Sequence, residues 1–176
     1  FKEQLENEKI ITIINILFIM SLKYTNLYNN LIKLTTNKKL YEGLTKQDTF
    51  EDRLVLFLIH FAFFLKIFKQ TNNKNILQEI YDFNFKQVEI SIREIGYGDV
   101  SINKKMKDYL NFFHDVVGKV NNWENMNNNE KSQFFQNFIN DNTDTKFFIG
   151  YFEKYVELLK KSTLNSFSKD ILEVKI

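Results

Sequence analysis

The sequence predicts an all-α, single-domain bundle of about six to eight helices, because apolar residues recur at helical spacing along the whole chain. No segment alternates apolar and polar residues over a strand's length, and the Gly/Pro signals that mark hairpins are missing. At 176 residues and 44% hydrophobic content, the chain is long enough to bury a core of its own. No linker divides it and no repeat recurs at a fixed period. Phe (19) and Tyr (8) are abundant while Ala62 is the single alanine, so helices built from this stock lean on packing more than on intrinsic preference.

The spacing predicts a first helix over 2–22, containing a short apolar run at 10–20, and a second over 25–34 with Leu27, Leu31 and Leu34 on one face. The run at 10–20 is about 16 Å long as a helix, well short of a roughly 30 Å hydrocarbon core. It is read as a buried helix, with a place on or in a membrane as the alternative. A connector with a short turn near Tyr41 follows. The third helix begins at Asp48 or Thr49, either of which can accept from first-turn amides, and Glu51 and Asp52 suit the positive end of the dipole. It runs to about residue 70 with apolar residues all round, as a central helix does.

The fourth helix, 75–95, presents Leu77, Tyr81, Phe85, Val88, Ile92 and Ile95 on one face. Gly96-Tyr97-Gly98-Asp99 is its turn: Gly96 suits the left-handed closing position, and Asp99 or Ser101 can cap the next helix. The fifth helix carries Ile102, Met106, Tyr109, Leu110, Phe113, Val116, Val117 and Val120 at helical spacing. An Asn-rich loop at 121–129, anchored by Trp123, leads to helices over 130–139 and 146–161, with a polar turn at 140–144 between them and a further short helix in the tail.

Composition narrows the functional classes. A net charge of +2 with interleaved signs gives no basic stripe for DNA or RNA. Without cysteine there is no disulfide framework, thiolate metal site or thiol nucleophile. Gly96-Tyr97-Gly98 lacks the preceding strand and third glycine of a dinucleotide loop. His60 and His114 lie far apart with no further ligand at helical distance; His60 reads as a buried, hydrogen-bonded residue and His114 as a surface one. No nucleophile elbow exists, so no catalytic residue, metal or cofactor is expected.

One feature is sharper. Of 24 basic residues only Arg53 and Arg93 are arginine, each beside an acid, Asp52 and Glu94. Among so many lysines, an arginine points to a place where a planar fork of donors matters. That is a buried or half-buried salt bridge between helices, a dock for a partner's carboxylates or carbonyls, or both.

The stretches holding these arginines resemble the ubiquinol–cytochrome c chaperone family. Asp48-Thr49-Phe50-Glu51-Asp52-Arg53-Leu54, with Leu56, Leu58 and His60, is similar to the family's Asp-Thr, Gly-Arg-Phe and Leu-x-Leu-His series. Ile92-Arg93-Glu94-Ile95-Gly96-Tyr97-Gly98-Asp99, with Lys104 to Lys107 behind it, resembles its Leu-Arg-Glu-Met-Gly-Val-Gly-Asp segment and basic helix. Leu27-Tyr28, Leu31-Ile32 and Leu40-Tyr41 resemble the upstream part, so the likeness covers 27–118. The chain departs from the pattern at Gln47, where the family has proline, and at Asp52, where it has glycine.

The resemblance implies a non-catalytic assembly factor for the bc1 complex whose client is newly made cytochrome b. In mitochondria such factors work with a small helper protein and near the ribosome exit. The expected partner surface comprises Arg53, Arg93, Glu94, Gly96, Gly98, Asp99, Lys104 and Lys105. No DNA partner is expected, and peripheral contact with a membrane is. Length and the lack of an Arg-rich leader favour the cytoplasmic side of an alphaproteobacterial inner membrane over the mitochondrial matrix face. The rival readings are a membrane-surface helical protein anchored by the run at 10–20, and a small-molecule enzyme or carrier using a pocket near His60.

Overall fold

The computed structural model describes residues 2–42, 49–69, 73–139, 144–169 and 174; within the first helix, side chains are described at 11–15 and from 21 onward. The described residues form α1 (Lys2–Thr35), α2 (Lys39–Glu42), α3 (Phe50–Lys69), α4 (Lys74–Glu94), α5 (Asp99–Val120), a 3-10 turn (Trp123–Asn125), α6 (Asn128–Phe138), α7 (Thr145–Lys161) and α8 (Leu164–Lys169), with no strand among them. The all-α bundle read from periodicity is therefore the fold.

Helix α3 is the axis. From Leu54 to Phe68 it has no polar side, and nearly every side chain is buried. Helices α1, α4, α5 and α7 pack around it, largely through rings. Phe61 stacks on Phe113 of α5 (5.3 Å), Phe63 on Phe152 of α7 (5.0 Å), and Phe64 meets Phe167 of α8 (4.9 Å). Trp123 is buried as expected, edge-on to Phe63 at 5.0 Å, and pins the loop after α5.

Three expectations are corrected. The first two predicted helices are one, because Thr25 bonds back to the Ser21 carbonyl (2.9 Å) instead of capping a new helix. Ile11, Ile13 and Ile14 are exposed, not buried, since no described element of the bundle covers that end of α1. Helix α6 starts at Asn128, two residues before its predicted start, because Asn127 and Glu130 form a capping box. Of the two proposed starts for α3, Asp48 lies outside the described residues. Thr49 and Asp52 bond reciprocally there: the Asp52 amide donates to Thr49 Oγ1 (3.2 Å) and the Thr49 amide to Asp52 Oδ2 (3.2 Å).

The helices give the bundle two poles. Tyr28 of α1 packs on Phe57 (5.5 Å), while Thr35 and Thr36 at the end of α1 share a groove with Phe50 and Arg53 at the start of α3, so the two helices run in opposite senses. Tyr24 donates to Glu79 and meets Phe83 (5.9 Å), whereas Tyr28 and Ile32 lie beside Val88 and Ser91, so α1 and α4 run in the same sense. Lys105 reaches Glu51 (3.2 Å), which sets the start of α5 by the start of α3. One pole thus collects the ends of α1 and α4 with the starts of α3 and α5. At the other lie the ends of α3 and α5, the start of α4 and the outgoing half of α1.

His60 sits in the core, as predicted. Nδ1 lies 2.7 Å from the Leu56 carbonyl and Nε2 lies 2.8 Å from Tyr151 Oη, so neutral His60 donates from Nδ1 and accepts from the phenol. Burial pushes its pKa down to about 4. Because the folded state disfavours the imidazolium, this contribution is complete above the ordinary histidine pKa of 6.5 and is lost as pH falls toward 4. Urea denaturation should therefore show stability falling by up to about 1.4 kcal/mol per pH unit through that window. In His60→Gln that part of the pH slope should vanish.

Candidate partner-binding site

The first pole is shaped by the corner between α4 and α5. The Gly96 amide bonds the Arg93 carbonyl (2.9 Å) with Gly96 at φ 101, the left-handed conformation predicted for it. Gly98 precedes α5 with ordinary extended angles (φ −75, ψ 158). Asp99 does not cap α5, and no side chain does. Its carboxylate instead turns back across the corner to Arg93, whose Nη1 donates to Asp99 Oδ1 (2.5 Å). Nη2 of the same guanidinium donates to Glu89 Oε1 (3.1 Å), one turn earlier on α4.

The Arg93–Asp99 bond links α4 to α5, while Glu89, four residues back, shares the Arg93 face of α4 and the adjacent Glu94 diverges from it by about 100°. The cluster is exposed rather than buried. The Asp99 bond, and then the Glu89 bond, hold the guanidinium pKa above its usual range. A fork clamped by two acids fixes the corner's shape more than it offers free donors to a partner.

Lys105 makes the second clamp. Its Nζ donates to Glu51 Oε1 (3.2 Å) and lies 4.5 Å from the Tyr97 ring centroid. The Glu51 hydrogen bond leads the causes that raise its pKa. Glu94 and Lys104 are exposed and make no ion pair among the described residues. Arg53, also exposed, borders a groove beside this corner. The structure thus brings together Arg93, Gly96, Gly98, Asp99 and Lys105, sets Arg53 at the groove, and leaves Glu94 and Lys104 outside the clamps.

The groove has a volume of about 200 Å³. Tyr28, Ile32, Phe57 and Val88 give it apolar walls from three helices, and Phe50 stands at its edge. Beyond it the corner shows an apolar cluster that sequence reasoning missed: Ile95 and Tyr97 are exposed, and Val100 is 86% exposed. A signal for Val100 was present. Two residues before Ile102, it points about 200° away from the buried face of α5. Ile95, expected on the buried face of α4, lies past the helix's last turn and turns outward. Among the described residues no three His, Asp or Glu side chains converge.

An apolar groove with aromatic walls, beside charges that pair with one another, is a surface suited to binding. Residues 42–122, a little under half of the chain, match the family model described as Ubiquinol-cytochrome C chaperone. No curated protein and no solved structure matches the chain. Over that stretch the chain is similar to a family of ubiquinol–cytochrome c chaperones. The stretch contains both clamps and the corner, and it ends just past the 118 limit read from the motifs. Leu27, Tyr28, Leu31, Ile32, Leu40 and Tyr41 lie upstream of it. No helix among the described residues is long and apolar enough to cross a membrane.

Gly96→Ala should lower stability by about 1–2 kcal/mol, since an L residue is strained at that positive φ. Gly98→Ala should cost far less, its angles being open to any residue. Chemical denaturation of the two variants checks the difference; equal losses would refute this account of the corner.

Proposed function

We propose that the protein holds newly made cytochrome b during bc1 assembly, using the corner and groove at the first pole. The observation that carries this reading is the position of the groove: an open apolar cleft adjoins the most specific family motif, Arg93-Glu94-Ile95-Gly96-Tyr97-Gly98-Asp99. Tyr28, Ile32, Phe50 and Val88 supply apolar contact for a hydrophobic segment, and the Ile95, Tyr97 and Val100 cluster extends that surface outward. Arg53, Glu94 and Lys104 supply its polar rim. Arg93, Asp99 and Lys105 keep the rim in shape.

In this reading the chain works at the periphery of a bioenergetic membrane, on the side where cytochrome b is translated. That side is the cytoplasm in an alphaproteobacterium and the matrix in a mitochondrion. A small helper protein and the ribosome exit are its further contacts there.

Loss of the gene should lower both cytochrome b and bc1 activity; unchanged levels of both would remove the proposal. Val100→Asp and Phe50→Asp place charges on already exposed apolar positions. Each should keep the parent's helical signal and thermal midpoint while cross-linking to cytochrome b falls by about tenfold, the effect of a buried uncompensated charge at a binding surface.

A further inference from the structure

The end of α5 carries a second cleft, formed where the chain turns back on itself. Phe112 of α5 meets Phe138, the last residue of α6, at 5.5 Å, so α6 lies antiparallel along α5. Between them is a cleft of about 390 Å³, against about 200 Å³ for the client groove. Gly118 forms part of its wall, and a Cβ built there would meet nothing within 4 Å, so the missing side chain leaves the cleft open. Phe134 is buried and Met126 and Phe138 are half-buried, which gives the cleft apolar ground. Its α6 residues all lie beyond the stretch 42–122.

The polar groups around this ground are largely unspent. Lys119, Gln133 and Asn137 are exposed and make no hydrogen bond or ion pair among the described residues. Asn122 accepts through Oδ1 from Asn125 Nδ2 (2.9 Å), which leaves its own amide N–H groups to donate. Lys119 and Asn122, three apart, therefore present an ammonium beside amide donors. That pairing suits a carboxylate.

Gln133 and Asn137 are four apart on one face of α6, about 6 Å along its axis. Along one edge of an extended chain, peptide groups recur every second residue, at about 6.7 Å. Each amide can give one N–H to such a group and accept one from it. Glu130 completes the lining, with Oε2 accepting from the Asn127 amide (2.7 Å). Its charge balances that of Lys119, so a bare anion gains little there. An occupant that brings N–H donors as well as a carboxylate satisfies both signs.

We propose that this cleft binds the free carboxyl terminus of a partner protein, in extended form and ending in an apolar residue. Lys119 and Asn122 hold the carboxylate, Gln133 and Asn137 pair with the main chain, and Met126, Phe134 and Phe138 take the apolar side chain. The cleft shares no residue with the client groove and does not depend on what fills that groove.

Amide chemical shifts of the full chain, titrated with acetyl-Ala-Ala-Leu-Ala-Leu to millimolar concentration, test it. The free acid should move resonances at 118–122 and 133–138, and the same peptide with an amidated end should bind at least tenfold more weakly, the loss of a charge-assisted contact. Lys119→Ala should bring the acid down to the affinity of the amide. Gln133→Ala with Asn137→Ala should weaken both peptides alike. Gly118→Leu fills open space with a better helix former and should abolish binding of both at an unchanged circular dichroism spectrum. Val100→Asp, at the client corner, should bind like the parent chain. No binding at millimolar peptide would overturn the proposal, as would equal affinity for acid and amide, or shifts confined to the client groove.

Discussion

Helix α3 carries apolar side chains on every side over most of its length, and a helix of that kind has to be surrounded before the chain gains anything by folding. Four helices surround it, and α1, α4, α5 and α7 each give α3 their apolar face. Because the walls are mostly rings, the core is fixed by ring geometry as much as by volume. Phe61, Phe63 and Phe64 face three different helices, so no one of those helices can shift without disturbing α3. His60 is the one imidazole inside this shell, and its two bonds keep burial from leaving an orphaned nitrogen.

Coverage of α3 is uneven along its length, and that unevenness makes the surfaces of interest. Near its start, the groove lined by Tyr28, Phe57 and Val88 lies between α1, α3 and α4. The corner at 95–98 crosses beside it, and its two clamps join parts that sequence separates: Arg93 to Asp99 across the turn, Lys105 to Glu51 across helices. Exposed pairs of this kind add little to global stability. Their effect is local, holding one short turn and the helix starts next to it in a single arrangement.

Periodicity made the fourth and fifth helices legible in the sequence, since their apolar residues sit at spacings that only a helix brings to one face, and Gly96 marked the turn by its tolerance of positive φ. Continuity of α1 was not legible. Thr25 and Ser21 are residues that cap helices as readily as they bond back within them, and only the 2.9 Å bond between them decides. The site was half legible. Arginine rarity drew attention to Arg93, and the acids it meets are Asp99 across the turn and Glu89 one turn back; the four-residue spacing to Glu89 was the clue the sequence offered. The groove itself was hidden, since it joins Tyr28 and Val88 from segments far apart in the chain.

The size of the groove bears on what it can hold. A cleft of about 200 Å³ accepts a few apolar side chains and not a whole helix. That size favours contact with a short apolar segment, whose few side chains can be covered without the groove having to enclose a folded element.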